Sequence, residues 1–474
     1  MKINPNIFRG YDLRGLVGKD LSPEIVEHIG KAFGTYLKRH GIKKAIVGRD
    51  CRATGKEYSE ALMRGMAWTG VDTIDIGMNM VGMFYWAQYY FDIKGGAFVT
   101  ASHNPAEYNG FKFAIDLSET LVSDGMQELC RMVQEEDYEQ GEKEGNISES
   151  NISEAYFKDL SKRLPITKKF RVLVDPSNST AGAIVPEMLR GIGCEVIEKN
   201  CNIDPTFPLG TPDPTESVVA QRLQREVIEV GADIGFTYDA DGDRIGIVDE
   251  KGGIIWNDVL VAIFASDVLH GHPGAKIMFN TLCSKVVEDT ILKEEGVPYM
   301  WRTGHSFLKK KNQEVKAAFI GELSGHFFFS ADFYNHDDGF YSTLRLLHYL
   351  SAVDKPLSEV VATLPKYISS PEIKLGCPDD KKVQLVKDMS IILEKDFPGA
   401  EVISDERAGD GVRLEMDDSM FVVRYSQNGP YLTIKFEARE ETKYNELKRY
   451  LKKTLSNYPD VDWTVGTVNA EALN

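Results

Sequence analysis

Asp239, Asp241 and Asp243 stand within five residues in the run DADGDR (239–244), and three carboxylates so close repel one another unless a cation neutralises them. Oxygen-only ligands suit a hard cation such as Mg2+ or Ca2+. An EF-hand would place its last ligand at Glu250, but it needs a glycine where Arg244 stands, and the flanks here read as strands rather than helices. An acidic hairpin turn around Asp241-Gly242 is the competing reading.

Three further loops carry residues fit for chemistry. In TASHNP (100–105), Ser102 lies among small residues beside His103, so it could act as a nucleophile; Ser, Asn and Pro are equally ordinary turn formers, and the GxSxG elbow of hydrolases is missing. In GELSGH (321–326), Glu322 and Ser324 alternate, so in an extended segment both face one side, a pairing suited to sugar hydroxyls; a capped turn accounts for them as well. In RYSQNGP (424–430), Arg424, Ser426, Gln427 and Asn428 with the backbone of Gly429 could cradle a phosphate, or form a polar hairpin. No Gly-rich Walker loop is present, so nucleotide-driven kinase chemistry is not indicated.

Elements that would position these loops can be read from hydrophobic patterning. Strands are expected at 45–48, 96–99, 171–174, 233–237, 245–248, 276–279 and 317–320, with helices at 56–68, 182–193 and 285–294 between them. Repeated β–α alternation implies sheets covered by helices. Three of the four loops directly follow such a strand, at its C-terminal end, where α/β folds place ligands. The last quarter differs: a helix at 381–396, strands at 412–416, 420–423 and 432–436, and a helix at 444–455 suggest an α+β domain with an antiparallel sheet. The polar run Asp137–Ser153 reads as a linker or exposed loop, and Gly252–Gly253 and Ser369–Pro371 as further boundaries.

A chain of 474 residues is too long for one ordinary core, and 42% hydrophobic with 27% charged residues is the balance of a soluble globular protein. A formal net charge of −17 argues against a nucleic-acid binder. The first residues lack the apolar core of a signal peptide, and the longest apolar stretch, Val259–Ala265, is too short to span a bilayer. Six cysteines without a CxxC pair favour reduced thiols in a cytoplasm over a disulfide framework or a zinc site.

The four loops, in this order and spacing, resemble the α-D-phosphohexomutase superfamily, and most closely its phosphomannomutase/phosphoglucomutase branch. The resemblance runs from FRGYDLRG (8–15) through TASHNPAEYNGFKF (100–113), DADGDR, WRTGHSFLK (301–309) and GELSGH to RYSQNGP. It implies three related α/β mixed-sheet domains plus a C-terminal TBP-like α+β domain around a central cleft, divided as 1–151, 152–253, 254–368 and 369–474. It implies an enzyme that interconverts hexose 1-phosphates and 6-phosphates of mannose or glucose. Ser102 would be a phosphoserine, and its phosphate with Asp239, Asp241 and Asp243 would hold Mg2+. Arg14, His103, Lys112, Arg244 and His305 would serve catalysis. Glu322 and Ser324 would read sugar hydroxyls, and Arg424, Ser426, Gln427 and Asn428 the non-reacting phosphate. A hexose 1,6-bisphosphate would be intermediate and activator. The chain departs from the branch at Asn428-Gly429, where Thr-Glu is usual, and at Leu282, Thr433 and Val81-Gly82-Met83. A phosphoglucosamine mutase, a sugar-phosphate phosphatase and a non-catalytic sugar-phosphate sensor are the alternatives.

Overall fold

The structure, a computed structural model, describes residues 3–427 and 429–474; Asn428 of the expected phosphate loop lies outside them. The chain forms two compact units. One comprises the residues up to Pro214 with Val219–Ile254 and Tyr334–Leu357, and the other Thr215–Val218, Ile255–Phe333 and Ser358–Asn474.

The first unit carries two sheets. In the first sheet, β1 (Leu13–Leu16), β2 (Lys44–Arg49), β3 (Asp72–Met78), β4 (Gly95–Val99), β5 (Tyr108–Asp116), β6 (Glu119–Thr120) and β7 (Ile147–Glu149) run in the order β1-β5-β4-β2-β3-β7, with β6 on β5. The second sheet contains β8 (Arg171–Val174), β9 (Glu195–Glu198), β10 (Ile234–Tyr238), β11 (Ile245–Asp249) and β12 (Ile254–Ile255), where the chain passes to the other unit. Its order is β12-β11-β10-β8-β9.

The second unit also carries two sheets. One has β13 (Lys276–Asn280), β14 (Val297–Trp301), β15 (Phe319–Gly321) and β16 (Phe327–Phe328) in the order β14-β13-β15-β16. The other has β17 (Ile368–Ser369), β18 (Ile373–Gly376), β19 (Glu401–Ile403), β20 (Gly411–Met416), β21 (Ser419–Tyr425) and β22 (Tyr431–Ala438). There the order is β17-β22-β21-β20-β19 with β18 also on β22, and every pairing is antiparallel. Among the described residues no helix is long and apolar enough to cross a membrane.

The first three sheets share one layout. Each has three parallel strands, β3-β2-β4, β9-β8-β10 and β14-β13-β15. Each then adds an antiparallel strand, β5, β11 or β16, beside the third. The connection from third parallel to antiparallel strand is TASHNP with the residues up to 107, DADGDR and ELSGH respectively. The acidic run is thus a hairpin connection and a carboxylate cluster at once, since Tyr238 pairs with Ile245 across it.

Two local expectations are corrected. The segment expected as one helix over 182–193 is a 3-10 turn, Thr180–Ala183, followed by a short helix, Val185–Gly191. Pro186 lacks an amide hydrogen and fits only the first turn of a helix, so the helix restarts there. Glu322 and Ser324 do not lie in an extended segment. Gly325 N donates to Glu322 O at 3.0 Å and Gly325 has φ +93°, which closes a turn. The polar run 137–153, expected as a linker or exposed loop, is largely exposed and irregular; within it β7 pairs parallel with β3, and Arg39 bonds Asp137 and Glu139.

The helix Pro23–Arg39 shows how the first sheet is covered. Ser22 Oγ accepts from Ile25 N, Pro23 opens the helix, and Lys38 and Arg39 favour its C-terminal dipole. Its buried face, including Val26, Ile29 and Phe33, joins the core beneath the sheet. It packs against the helix Gly55–Trp68 at two facing glycines: a Cβ at Gly30 would overlap the Leu62 carbonyl, and one at Gly65 the Glu27 carbonyl. Gly65→Ala therefore forces the helices apart although alanine has the higher helix propensity. It should cost about 1–3 kcal/mol, read as a lowered denaturation midpoint.

Candidate active site

Ser102 ends the first residues beyond β4 in a left-handed conformation, φ +48°, unusual for a serine and costing about 1–2 kcal/mol unless compensated. Its amide donates to Thr100 Oγ1 at 2.8 Å. Its Oγ lies 3.1 Å from His103 Nδ1 and 3.3 Å from Asp239 Oδ2. The serine loop of the first sheet and the acidic hairpin of the second therefore meet within one unit.

Ligand oxygens of Asp239, Asp241 and Asp243 lie within 4.8 Å of one another, and all three residues are buried. Lys112, on β5, donates to Asp241 Oδ2 at 2.9 Å and Asp243 Oδ2 at 2.6 Å. Burial opposes its charge, but Asp241 and Asp243 outweigh burial and hold Lys112 well above the usual lysine range. Arg244 closes the other side, donating from Nε to Asp239 Oδ2 at 2.9 Å and from Nη1 to Asp213 Oδ1 at 3.3 Å. Burial and the neighbouring Asp243 still push the Asp239 carboxyl well above the carboxylate range, against the pull of Arg244. Asp241 Oδ1 is buried and receives no hydrogen bond. This oxygen-only cluster fits a hard divalent cation.

The hairpin is held from outside. Val81 N donates to Asp241 O at 2.9 Å, from the first turn of the helix Val81–Phe91. Gly242, at φ +72°, lies under Met80, whose side chain leaves no room for a Cβ. Thr180 Oγ1 donates to Ala240 O at 2.6 Å and accepts from Cys51 N at 3.0 Å, linking the two sheets' loops.

Arg14, on β1, belongs to the same unit. Asp12 binds its Nε and Nη2 at 2.9 and 2.7 Å, and its Nη1 donates to Asn104 Oδ1 at 2.6 Å in the serine loop. His103 Nε2 is 4.0 Å from Asp213 Oδ2. Six of the expected site residues, together with Arg14 and His103, thus gather in the first unit.

The remaining ones lie in the second. His305 opens the helix His305–Val315 and stacks on His326 at 4.9 Å. Glu322 is buried, and its Oε1 accepts from Gly304 N at 2.9 Å, joining the ELSGH turn to the start of that helix. Ser324 is half-buried in the turn. Arg424, at the end of β21, is bound by Asp410 through Nε and Nη2 at 2.9 and 2.7 Å. Burial works against its charge, yet Asp410 raises its pKa above the arginine value. Gln427 Nε2 donates to the same Asp410 Oδ2 at 3.3 Å, and Ser426 N to Tyr431 O at 2.9 Å.

Several positioning side chains escaped the sequence reading: Asp12, Asp213, Asp410, Lys382, Asp50 and Arg52. Lys382 Nζ donates to Ser426 O at 2.7 Å and Gly429 O at 2.9 Å, so a helix lysine shapes the RYSQNGP loop. Asp50 and Arg52 follow β2 in the run GRDCR, and charged residues just past an apolar strand are a signal that could have found them. Asp50 Oδ2 accepts from Thr100 Oγ1 at 2.7 Å, and burial pushes its pKa up to about 6 despite Arg52.

Family models described as phosphoglucomutase/phosphomannomutase α/β/α domains I, II and III match residues 5–140, 154–253 and 256–367. The chain belongs to the phosphoglucomutase/phosphomannomutase family. It is 35% identical over 450 residues to a phosphomannomutase/phosphoglucomutase of Pseudomonas putida, covering 95% of each chain. It is 34% identical over 459 residues to a phosphoglucomutase of Neisseria meningitidis, covering 97% of this chain and 98% of the other. A crystal structure of a phosphoglucomutase/phosphomannomutase family protein from Burkholderia thailandensis superposes with a TM-score of 0.88 at 32% identity, over 96% of this chain and 98% of that one. The protein is a phosphohexomutase, an isomerase of phosphosugars, with three α/β domains and a further sheet-rich C-terminal domain. Neither a hexosamine-specific enzyme nor a non-catalytic sensor is favoured by these relatives.

Losing Lys112 should destabilise this phosphohexomutase in the absence of metal. Lys112→Met leaves buried carboxylates without their shared cation, and breaking such a pair costs about 3–5 kcal/mol. Denaturant unfolding in chelator-containing buffer should show a loss of that size.

Proposed function

We propose that Ser102 carries the phosphoryl group that this mutase exchanges with its substrate, and that the substrates are the 1-phosphates and 6-phosphates of mannose and glucose. The observation that carries the proposal is the meeting of Ser102 Oγ, the Asp239–Asp241–Asp243 cluster and the cations of Lys112 and Arg244 in one buried site. Phosphoryl transfer needs alignment and charge neutralisation above all. Asp239, Asp241 and Asp243, with the phosphate of Ser102, would hold Mg2+, which when bound supplies charge neutralisation at the transferring group.

The chain's residues divide the remaining work. The bond from phosphorus to Ser102 Oγ breaks as one forms to the free C6 or C1 hydroxyl of a hexose monophosphate, giving a hexose 1,6-bisphosphate. That bisphosphate returns its other phosphoryl group to Ser102, and added bisphosphate primes dephosphorylated enzyme. Arg244, whose Nη2 is buried without a hydrogen bond, is oriented to meet a phosphoryl oxygen. Lys112, which bonds Asp241 and Asp243 from β5, places a positive charge beside the transferring phosphoryl group. His103 Nδ1, at 3.1 Å from Ser102 Oγ, can exchange a proton with the serine oxygen. Arg14 supports the serine loop through Asn104, and His305 is assigned a role in proton transfer at the sugar hydroxyl. Glu322 and Ser324 bind sugar hydroxyls, and Arg424, Ser426, Gln427 and Asn428 bind the phosphate that is not reacting.

We further assign four domains at 1–151, 152–253, 254–368 and 369–474, since the four sheets follow one another along the chain, with only the two-residue strands β12 and β17 falling across the assigned boundaries. The partners are small phosphosugars; a net charge of −17 disfavours nucleic acid. Six free thiols support a reducing, cytoplasmic setting.

Intact-mass analysis of active enzyme should find one phosphate, on Ser102. Ser102→Ala should lose nearly all turnover with its melting temperature unchanged, and chelation should abolish activity until Mg2+ is restored. Full activity in Ser102→Ala would exclude the phosphoserine.

Substrate choice offers a second check. Glucose and mannose share O3 and O4 and differ at C2. A site that reads only shared hydroxyls leaves no polar group unpaired by either epimer, so it separates them weakly. Both 1-phosphates should turn over with kcat/KM within roughly tenfold, with glucosamine phosphates poorer and galactose 1-phosphate, inverted at O4, poor. Equal rates for the galacto epimer would overturn the role of Glu322 and Ser324.

A further inference from the structure

Arg52 takes no part in the reaction above, yet both terminal nitrogens of its guanidinium are bound by main-chain carbonyls, while Nε makes an ion-pair contact with Asp50 and no hydrogen bond. The Arg52 side chain is 1% exposed. Nη1 donates to Pro105 O at 2.8 Å and Tyr108 O at 2.9 Å. Nη2 donates to Ser102 O at 2.7 Å and Asn104 O at 2.6 Å. All four acceptors are carbonyls of one segment, 102–108, which begins at the proposed phosphate carrier and ends where β5 starts. The group also lies over the Phe207 ring, 5.3 Å from its centroid.

Asp50 fixes the guanidinium from behind. Its Oδ2 is 3.2 Å from Arg52 Nε, and its Oδ1 accepts from Arg52 N at 2.9 Å. Asp50 Oδ2 also accepts from Thr100 Oγ1. Thr100 Oγ1 in turn accepts from Ser102 N and lies 3.2 Å from Asp241 Oδ2. The serine is thus gripped at both its amide and its carbonyl, by two groups that share one carboxylate. A serine held in the left-handed region needs such over-determination, because without it the residue relaxes to ordinary backbone and carries Oγ elsewhere.

We infer that Arg52, oriented by Asp50, is a positioning residue for phosphoryl transfer: it holds Ser102 in its left-handed conformation so that Oγ faces Asp239 and His103. The inference rests on Ser102 as the phosphate carrier. Lysine cannot replace the arginine, because a single ammonium lacks the planar fork that reaches four carbonyls.

The test uses the full-length chain and two variants, Arg52→Lys and Asp50→Asn. Steady-state kcat and KM for glucose 1-phosphate are measured with Mg2+ and glucose 1,6-bisphosphate. Alongside them go the rate at which Ser102 acquires phosphate from that bisphosphate, by rapid-quench intact mass, and the melting temperature. Misplacing a reacting atom by about 1 Å costs on the order of 100-fold in rate. Arg52→Lys should therefore lower kcat and the phosphorylation rate together by roughly 30- to 300-fold, with KM within about threefold and the protein folded. Asp50→Asn should lower both rates less. A folded Arg52→Lys enzyme with unchanged kcat overturns the inference, as does a change confined to KM or to the melting temperature. Should Arg52→Lys fail to fold, Asp50→Asn decides by the same criteria. Ser102→Ala is the control: activity retained there removes the phosphoserine itself, whereas an inactive Ser102→Ala beside a fully active Arg52→Lys removes only the positioning role.

Discussion

Like charge concentrated in a dry place is the constraint on which the first unit is built. Two unit charges about 4 Å apart repel by about 4 kcal/mol at an effective dielectric of about 20, and the acidic hairpin carries three buried carboxylates. One of its cations, Lys112, comes from β5 of the other sheet, and the other, Arg244, from the last residue of the hairpin. These ion pairs tie the acidic hairpin of the second sheet to the first. The same meeting carries Ser102 to Asp239, so the electrostatic repair and the chemistry share one geometry.

Holding the loops in shape follows a rule that recurs in all three α/β sheets. The segment after the first parallel strand reaches across to bond the hairpin that follows the third. Arg52 after β2 binds the serine loop's carbonyls. Ser179 and Thr180, after β8, donate to Asp239 O and Ala240 O. Asn280, closing β13, accepts from Leu323 N through Oδ1. In each case the bond goes to the main chain of the hairpin, which leaves its side chains to face a ligand.

That choice of partner explains what the sequence did and did not disclose. The hairpins themselves were legible, because short apolar strands end abruptly at runs of polar residues, and three aspartates in five positions have few reasons to exist. The hairpin reading of DADGDR holds, and its three carboxylates gather as a cluster that could hold a metal ion. The clamps' targets were not legible: Arg52 stands in a suggestive place just past an apolar strand, but it and Lys382 act on backbone carbonyls, and no periodicity or spacing signals which main chain an arginine or lysine will meet. Asp410 was hidden for a related reason, since it faces Arg424 across the β20–β21 pair from the start of another strand. The alternation of Glu322 and Ser324 misled because Gly325 admits a left-handed backbone and bends the segment. The helix expected over 182–193 failed at Pro186, whose missing amide hydrogen outweighs a favourable hydrophobic pattern.

The thrice-repeated strand order has a consequence for how such a chain can change. The parallel strands and their clamps carry the information for folding, while the residues that differ most in chemistry, a serine, an acidic cluster and a glutamate, occupy the same hairpin slot in each copy. Because Arg52, Thr180 and Asn280 grip carbonyls and amides, those particular bonds do not depend on which side chains the slot carries. Duplication of one ancestral unit would then yield scaffolds already able to accept divergent contents. A serine, an acidic cluster and a buried glutamate could each arise by substitution in a handful of positions, with no strand needing to be reinvented.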